Sequence, residues 1–175
     1  MNRSVLLLRA VNVSGRNRVP MERLREILVP SLGEVSTYIT SGNIVCARPS
    51  DPAAACAETR ALIAAEFGVD TPVIHRSHDA LVSALAAQPF TGSEEKMLHA
   101  MFLEGEAQPG AVEALTPRLV SGERIALVGD DLWIDYGAGG VHGTKLTKAV
   151  LDRALGVAGT ARNLRTVRML AELTA

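Results

Sequence analysis

Strand and helix periods that run in the order βαββαβ and then begin again in the same order predict an α+β fold. It is built from two ferredoxin-like halves packed together as a pseudo-repeat. Two observations carry the prediction. Short apolar segments bounded by Gly, Pro, Asn and Asp alternate with longer segments whose apolar residues lie three and four apart, and a hairpin signature falls at the same place in each half. The halves are expected at residues 1–88 and 89–175, forming one compact unit.

In the first half, "SVLLLRA" (4–10) reads as a strand buried on both faces, because its apolar residues run on instead of alternating. Pro20 opens a helix over 20–29 with Met21, Leu24, Ile27 and Leu28 on one side. "EVSTYIT" (34–40) alternates, "SGN" (41–43) turns tightly and "IVCA" (44–47) returns. Asp51 and Pro52 start a helix that Gly68 ends; a strand over 71–76 and a helix over 78–87 follow.

The second half repeats the order less cleanly. A strand is expected over 97–103, a short helix over 109–115, and a hairpin from 124–129 and 131–136 that turns at Gly129 and Asp130. A helix over 144–155, N-capped by Thr144, and a last helix over 163–173 complete it. For the fourth strand, only "VAGTA" (157–161) offers itself.

Aromatic residues make up 3% of the chain, so the core must be aliphatic. Cys46 and Cys56 stand in no paired-ligand spacing, so neither a metal nor a redox motif is expected. No cofactor is implied. No run approaches the roughly 18 apolar residues of a membrane span, and the N-terminal apolar run has no cleavage pattern, so a cytoplasmic protein is the expectation. The net charge of −1 conceals a partition: residues 1–25 and 141–171 are each net +5, and residues 89–140 net −6. Basic ends of that kind suit either an anion site or solvated helix faces.

Three loops could carry chemistry. "NVSGRNR" (12–18) combines Gly15 with Asn and Ser side chains that close turns or donate to an anion; "SGN" (41–43) is a turn. "YGAGGVHGTKLTK" (136–148) is glycine-rich between strand and helix but satisfies neither the Walker nor the dinucleotide spacing, which leaves Lys145 beside Thr144 as an anion candidate. Arg162 and Asn163 are expected to open the last helix, where a cation is unfavourable unless an anion joins it or it reaches a carboxylate such as Asp131 or Asp135. Asp130, Asp131 and Asp135 could hold Mg²⁺, but acids flanking a hairpin turn are ordinary. No catalytic template is met, no general base can be named, and whether the protein is an enzyme is left open.

With "LLRAVNVSGRNRVPMERLREIL", "TYITSGNIV", "VIHR" and "GTARNLRTVRML" on the page, the chain resembles the bacterial family known as domain of unknown function 1697. The resemblance implies two related ferredoxin-like halves and no activity. Its pattern singles out Arg9, Asn12, Gly15, Asn17, Pro20, Ser41, Gly42, Asn43, Thr160, Arg162 and Asn163, and it departs at Leu164 and Arg165, where Trp and a second Asn are expected.

Three functions compete. The first is binding of a small phosphate- or carboxylate-bearing ligand between the halves through Arg9, Asn12, Gly15, Asn17, Ser41, Asn43, Lys145, Arg162 and Asn163. The second is nucleic-acid binding, which six aromatics and the lack of an RNP1-like string disfavour. The third is a structural protein whose loops only brace the halves, or the two subunits of a homodimer.

Overall fold

A computed structural model describes residues 2–175 and resolves them into two compact units. The first takes the chain up to Val82 together with Met169–Ala175, and the second takes Ser83–Arg168. Each contains a four-stranded antiparallel sheet with helices between its strands, so the α+β fold with its repeated βαββαβ order is the one observed.

In the first unit the order is β1 (Arg3–Leu8), α1 (Met21–Leu32), β2 (Ser36–Tyr38), β3 (Asn43–Ala47), α2 (Pro52–Phe67) and β4 (Val73–Ser77), with the strands arranged β2-β3-β1-β4. Helix α3 (His78–Ala86) follows β4 without a break. The caps of α2 follow the residues that signal them. Asp51 accepts a hydrogen bond from Ala54 N–H at 3.0 Å, Pro52 supplies a preset φ at the first position, and Gly68 ends the helix in the left-handed region. Helix α1 runs past its expected end at residue 29 and through Pro30, because the last turn is still tied by Gly33 N–H to the Val29 carbonyl at 2.9 Å. Leu6, Leu8, Ile44, Cys46 and Val73 on the sheet meet Leu24 and Leu28 of α1 and Ile63 of α2 in an aliphatic core.

The second unit repeats the plan. It comprises β5 (Leu98–Leu103), α4 (Ala111–Leu115), β6 (Arg124–Val128), β7 (Asp131–Asp135), α5 (Lys148–Leu155) and β8 (Gly159–Asn163), in sheet order β6-β7-β5-β8. Helix α6 (Leu164–Thr174) again follows its strand directly. Met101, Leu103, Leu132 and Ile134 pack with Leu115, Leu151 and Leu155.

Three expectations need correction here. The fourth strand is Gly159–Asn163, two residues beyond its candidate, so Arg162 lies within a strand and does not open a helix, while Asn163 ends the strand and caps the helix that follows. Helix α5 begins at Lys148, capped by Thr147. Thr144 lies four residues before that start, where its hydroxyl donates to Glu123 at 2.6 Å and accepts from Leu146 N–H at 3.1 Å. The first hairpin turns not through a tight "SGN" but through a four-residue loop, 39–42, since Tyr38 pairs with Asn43.

Candidate functional site

Two loops meet at one end of the first sheet, where β1 ends, β3 begins and β4 begins. The first connects β1 to α1. Arg9 is buried at its start, and the Thr71 hydroxyl clamps the Arg9 backbone on both sides, accepting from its N–H at 3.0 Å and donating to its carbonyl at 2.7 Å. Beyond it the chain forms a miniature hairpin. Asn12 N–H donates to the Asn17 carbonyl at 3.0 Å, and Arg16 N–H donates to the Val13 carbonyl at 2.9 Å across left-handed Ser14 and Gly15. Both central residues have positive φ, as a primed turn requires.

The two asparagines act as braces. The Asn12 amide donates to the carbonyls of Val19 at 2.9 Å and Thr40 at 2.8 Å, while its oxygen accepts from Val19 N–H at 2.8 Å. One side chain thus ties the loop to the start of α1 and to the neighbouring hairpin. Asn17 donates to the Ala10 carbonyl at 3.0 Å. Ala10, Asn12, Ser14 and Asn17 all sit at φ between 50° and 55°. That conformation costs Ala10 and Ser14 on the order of 1 kcal/mol each and the asparagines less, so the braces maintain a geometry the chain would otherwise leave.

The second loop is the tip of the β2–β3 hairpin. Asn43, fully buried, donates to the Tyr38 carbonyl at 2.9 Å and to Ser41 Oγ at 3.1 Å. Gly42 has φ +82°, its carbonyl accepts from Leu8 N–H at 2.8 Å, and a Cβ there would lie 2.6 Å from the Leu8 Cβ, so only glycine fits. Ile39 is held at φ 49° although it is β-branched and half exposed. Among the described residues, every non-glycine residue with positive φ lies in these two loops.

Arg9, Asn12, Gly15, Asn17, Ser41 and Asn43 are therefore brought together at one sheet end. Around them, Arg16 and Arg18 are exposed, and among the described residues neither guanidinium has a hydrogen-bond or ion-pair partner.

The remaining three candidates lie in the second unit, in separate roles. Lys145 is exposed on the β7–α5 connection. Arg162 is buried on β8, donates to Thr160 Oγ1 at 2.7 Å and to the Ala161 carbonyl at 2.9 Å, and is pulled by burial down to about 10, still charged at neutral pH. Asn163 accepts from Thr166 N–H at 2.9 Å and so caps α6.

The sequence did not point to a polar network on the β6–β7 hairpin. Asp135, nearly buried, accepts from Arg124 at 2.6 Å and 3.1 Å, from the Ser93 hydroxyl at 2.7 Å and from Gly137 N–H at 2.9 Å; Arg124 also covers the Phe90 ring at 4.6 Å. Burial pushes the Asp135 carboxyl up, but these donors outweigh it and hold it below the usual carboxylate value. Asp135 is thus engaged by Arg124, and among the described residues no group of three acidic, His or Cys side chains could hold a metal. The signal was available: a two-residue turn at Gly129 and Asp130 pairs Val128 with Asp131 and, counting back, Arg124 with Asp135.

The fold defines a class: α+β proteins whose repeated βαββαβ units each carry an antiparallel sheet in the order 2-3-1-4. Within that class the chain belongs to the family described as Protein of unknown function (DUF1697), whose model matches residues 1–133. The match includes both loops of the first unit and stops before Lys145, Arg162 and Asn163. Among solved structures the chain is similar to a conserved bacterial protein from Streptococcus pneumoniae. The identity is 21%, the TM-score is 0.79 and 99% of each chain is covered, which shows the fold. A search of curated proteins finds no match. No helix among the described residues is long and apolar enough to cross a membrane.

Proposed function

We propose that the protein binds a small anionic ligand, phosphate- or carboxylate-bearing, at the loop end of its first unit. One observation carries this: a connection held in strained left-handed geometry by Asn12 and Asn17 presents two exposed, unpartnered arginines, Arg16 and Arg18. Strain that surrounding contacts maintain is characteristic of sites that must be pre-organised, and a rigid loop loses little entropy when an anion docks. In this assignment Asn12, Gly15, Asn17, Ser41 and Asn43 shape the loop, Arg9 anchors its base through Thr71, and Arg16 and Arg18 supply the charge. The assignment is confined to the first unit because Asn163 is engaged as a helix cap and Arg162 in hydrogen bonds to its own strand.

Thermal denaturation in the presence of inorganic phosphate, pyrophosphate and citrate tests it. A ligand at about one hundred times its Kd stabilises by about 2.7 kcal/mol, a rise of several degrees that the double variant R16A/R18A should lose. If no anion raises the melting temperature at millimolar concentration, or if R16A/R18A responds as fully as the wild type, the assignment fails.

A further inference from the structure

The helices α4 and α5 of the second unit flank an open groove of about 280 Å³ lined by Gln108, Arg118 and Arg153 around Ala114, Ala149, Val150 and Ala154. The hollow exists because small side chains meet across the two helices. One wall is fixed. The Gln108 side-chain amide donates to the carbonyls of Arg153 at 3.0 Å and Ala154 at 2.8 Å, and its oxygen lies 2.9 Å from where a Cβ on Gly156 would stand.

The corresponding helix pair of the first unit, α1 and α2, supplies an internal standard. There every arginine has a side-chain partner, Arg25 donating to the Thr37 hydroxyl at 2.6 Å and the other two meeting acids. Arg23 meets Glu66 at 2.6 Å and Glu26 at 2.8 Å, and Arg60 holds both Asp70 oxygens at 2.6 Å and 3.0 Å. In the second unit, Arg118 and Arg153 face the groove, and among the described residues neither has a hydrogen-bond or ion-pair partner for its guanidinium. Two planar cations over an alanine floor leave an acid unsupplied by the chain.

We infer that this groove is a binding site for a small aliphatic carboxylate, its carboxylate paired with Arg118 and Arg153 and its short body resting on Ala114, Ala149 and Ala154. Guanidinium forks match carboxylates in two parallel hydrogen bonds. The volume sits at the lower limit of ligand pockets, which start at roughly 300 Å³, so a compact acid fits and a nucleotide does not. The apolar floor favours a carboxylate with a body over a bare inorganic anion.

The experiment is an NMR titration of the full chain with sodium succinate at constant ionic strength, following the side-chain Nε–H signals of Arg118 and Arg153. Saturable shifts with a millimolar or tighter Kd are expected. The double variant R118Q/R153Q should weaken binding about tenfold or more, the loss of one charge-assisted pair or its equivalent. A149L keeps both cations but fills the floor, and should weaken it about fivefold. All three positions are exposed, and unchanged melting temperatures will verify that these variants fold. R16A/R18A should bind succinate here as the wild type does, which separates this site from the one proposed at the first unit's loops. Absence of saturable shifts, equal binding by R118Q/R153Q, or inorganic phosphate binding as tightly as succinate with A149L without effect would each overturn the assignment.

Discussion

Strand by strand the two units match, and residue equivalences can be read off the registers. Val5 and Ala100 occupy the same position of the central strand, so Arg76 and Arg162, their partners, are counterparts; each donates through Nη1 to the carbonyl of the residue before it, at 2.9 Å in both. The next residues, Ser77 and Asn163, each cap the following helix, accepting from Ala80 N–H at 3.1 Å and Thr166 N–H at 2.9 Å. Leu8 N–H to the Gly42 carbonyl at 2.8 Å has its echo in Leu103 N–H to the Asp130 carbonyl at 3.1 Å. The units differ in what hangs on this frame. The first carries the braced loop after β1 and a long helix pair whose arginines are all engaged by side chains; the second has a short α4, a glycine-rich connection and two arginines without such partners among the described residues. A conserved frame tolerates different chemistry because its own hydrogen bonds do not depend on the decorations.

The hairpin tips give the sharpest way to break that comparison. Gly42 abuts Leu8 whereas Gly129, at φ +60°, has open space around its missing Cβ. G42A should therefore cost about 3 kcal/mol or more, and G129A only about 1 kcal/mol, by urea denaturation; equal costs would mean the two tips are not differently constrained.

Each unit also holds one half-buried strand histidine, at non-equivalent positions: His75, whose counterpart is Ala161, and His99, whose counterpart is Ser4. Burial pulls both down, His75 with help from Arg76 and Arg48, and His99 to about 4. Between the ordinary value of 6.5 and the folded one, the unfolded chain binds a proton that the folded chain refuses. Stability should therefore be full above pH 6.5 and decline as pH falls to 4, by about 3 kcal/mol for His99 if the shift is wholly realised. H99L should flatten that part of the pH profile measured by chemical denaturation.

D135A should cost about 2 kcal/mol, since it leaves Arg124 and Ser93 without their acceptor in a mostly buried place. The equivalent first-unit position is already Ala47, so only the second unit should respond to such a change. Smallest are the caps: S77A and N163A should each lose about 1 kcal/mol, and near-equality would confirm that the repeat extends to its helix starts.

The frame was legible because its signals are local. Asp51-Pro52 and Gly68 bracket α2 to the residue, and the Gly129-Asp130 turn fixes the second hairpin. Strand β8 was misread because "GTARN" has neither an apolar run nor a polar outer face: Thr160 and Arg162 are buried, an arrangement that only tertiary surroundings reveal. The loop residues were legible as a group, since Asn, Ser and Gly cluster at strand ends, but which carbonyl each amide would seek was not. Asn12 reaches Thr40 across twenty-eight positions, a distance no local pattern encodes. The groove between α4 and α5 was invisible for a similar reason: Arg118 and Arg153 are ordinary C-terminal-turn cations until the fold turns both toward one hollow in which, among the described residues, neither guanidinium meets an acid.

The joins between β4 and α3, and between β8 and α6, contain no connecting residue at all. Backbone direction and helical phase are consequently locked together there. One amino acid inserted between Ser77 and His78, or between Asn163 and Leu164, would rotate every later side chain of that helix by about 100°. His78, whose ring nitrogen now meets the Ala171 carbonyl and Thr174 Oγ1 at 3.1 Å, would swing away from both. At these two peptide bonds no loop stands ready to absorb a change in length.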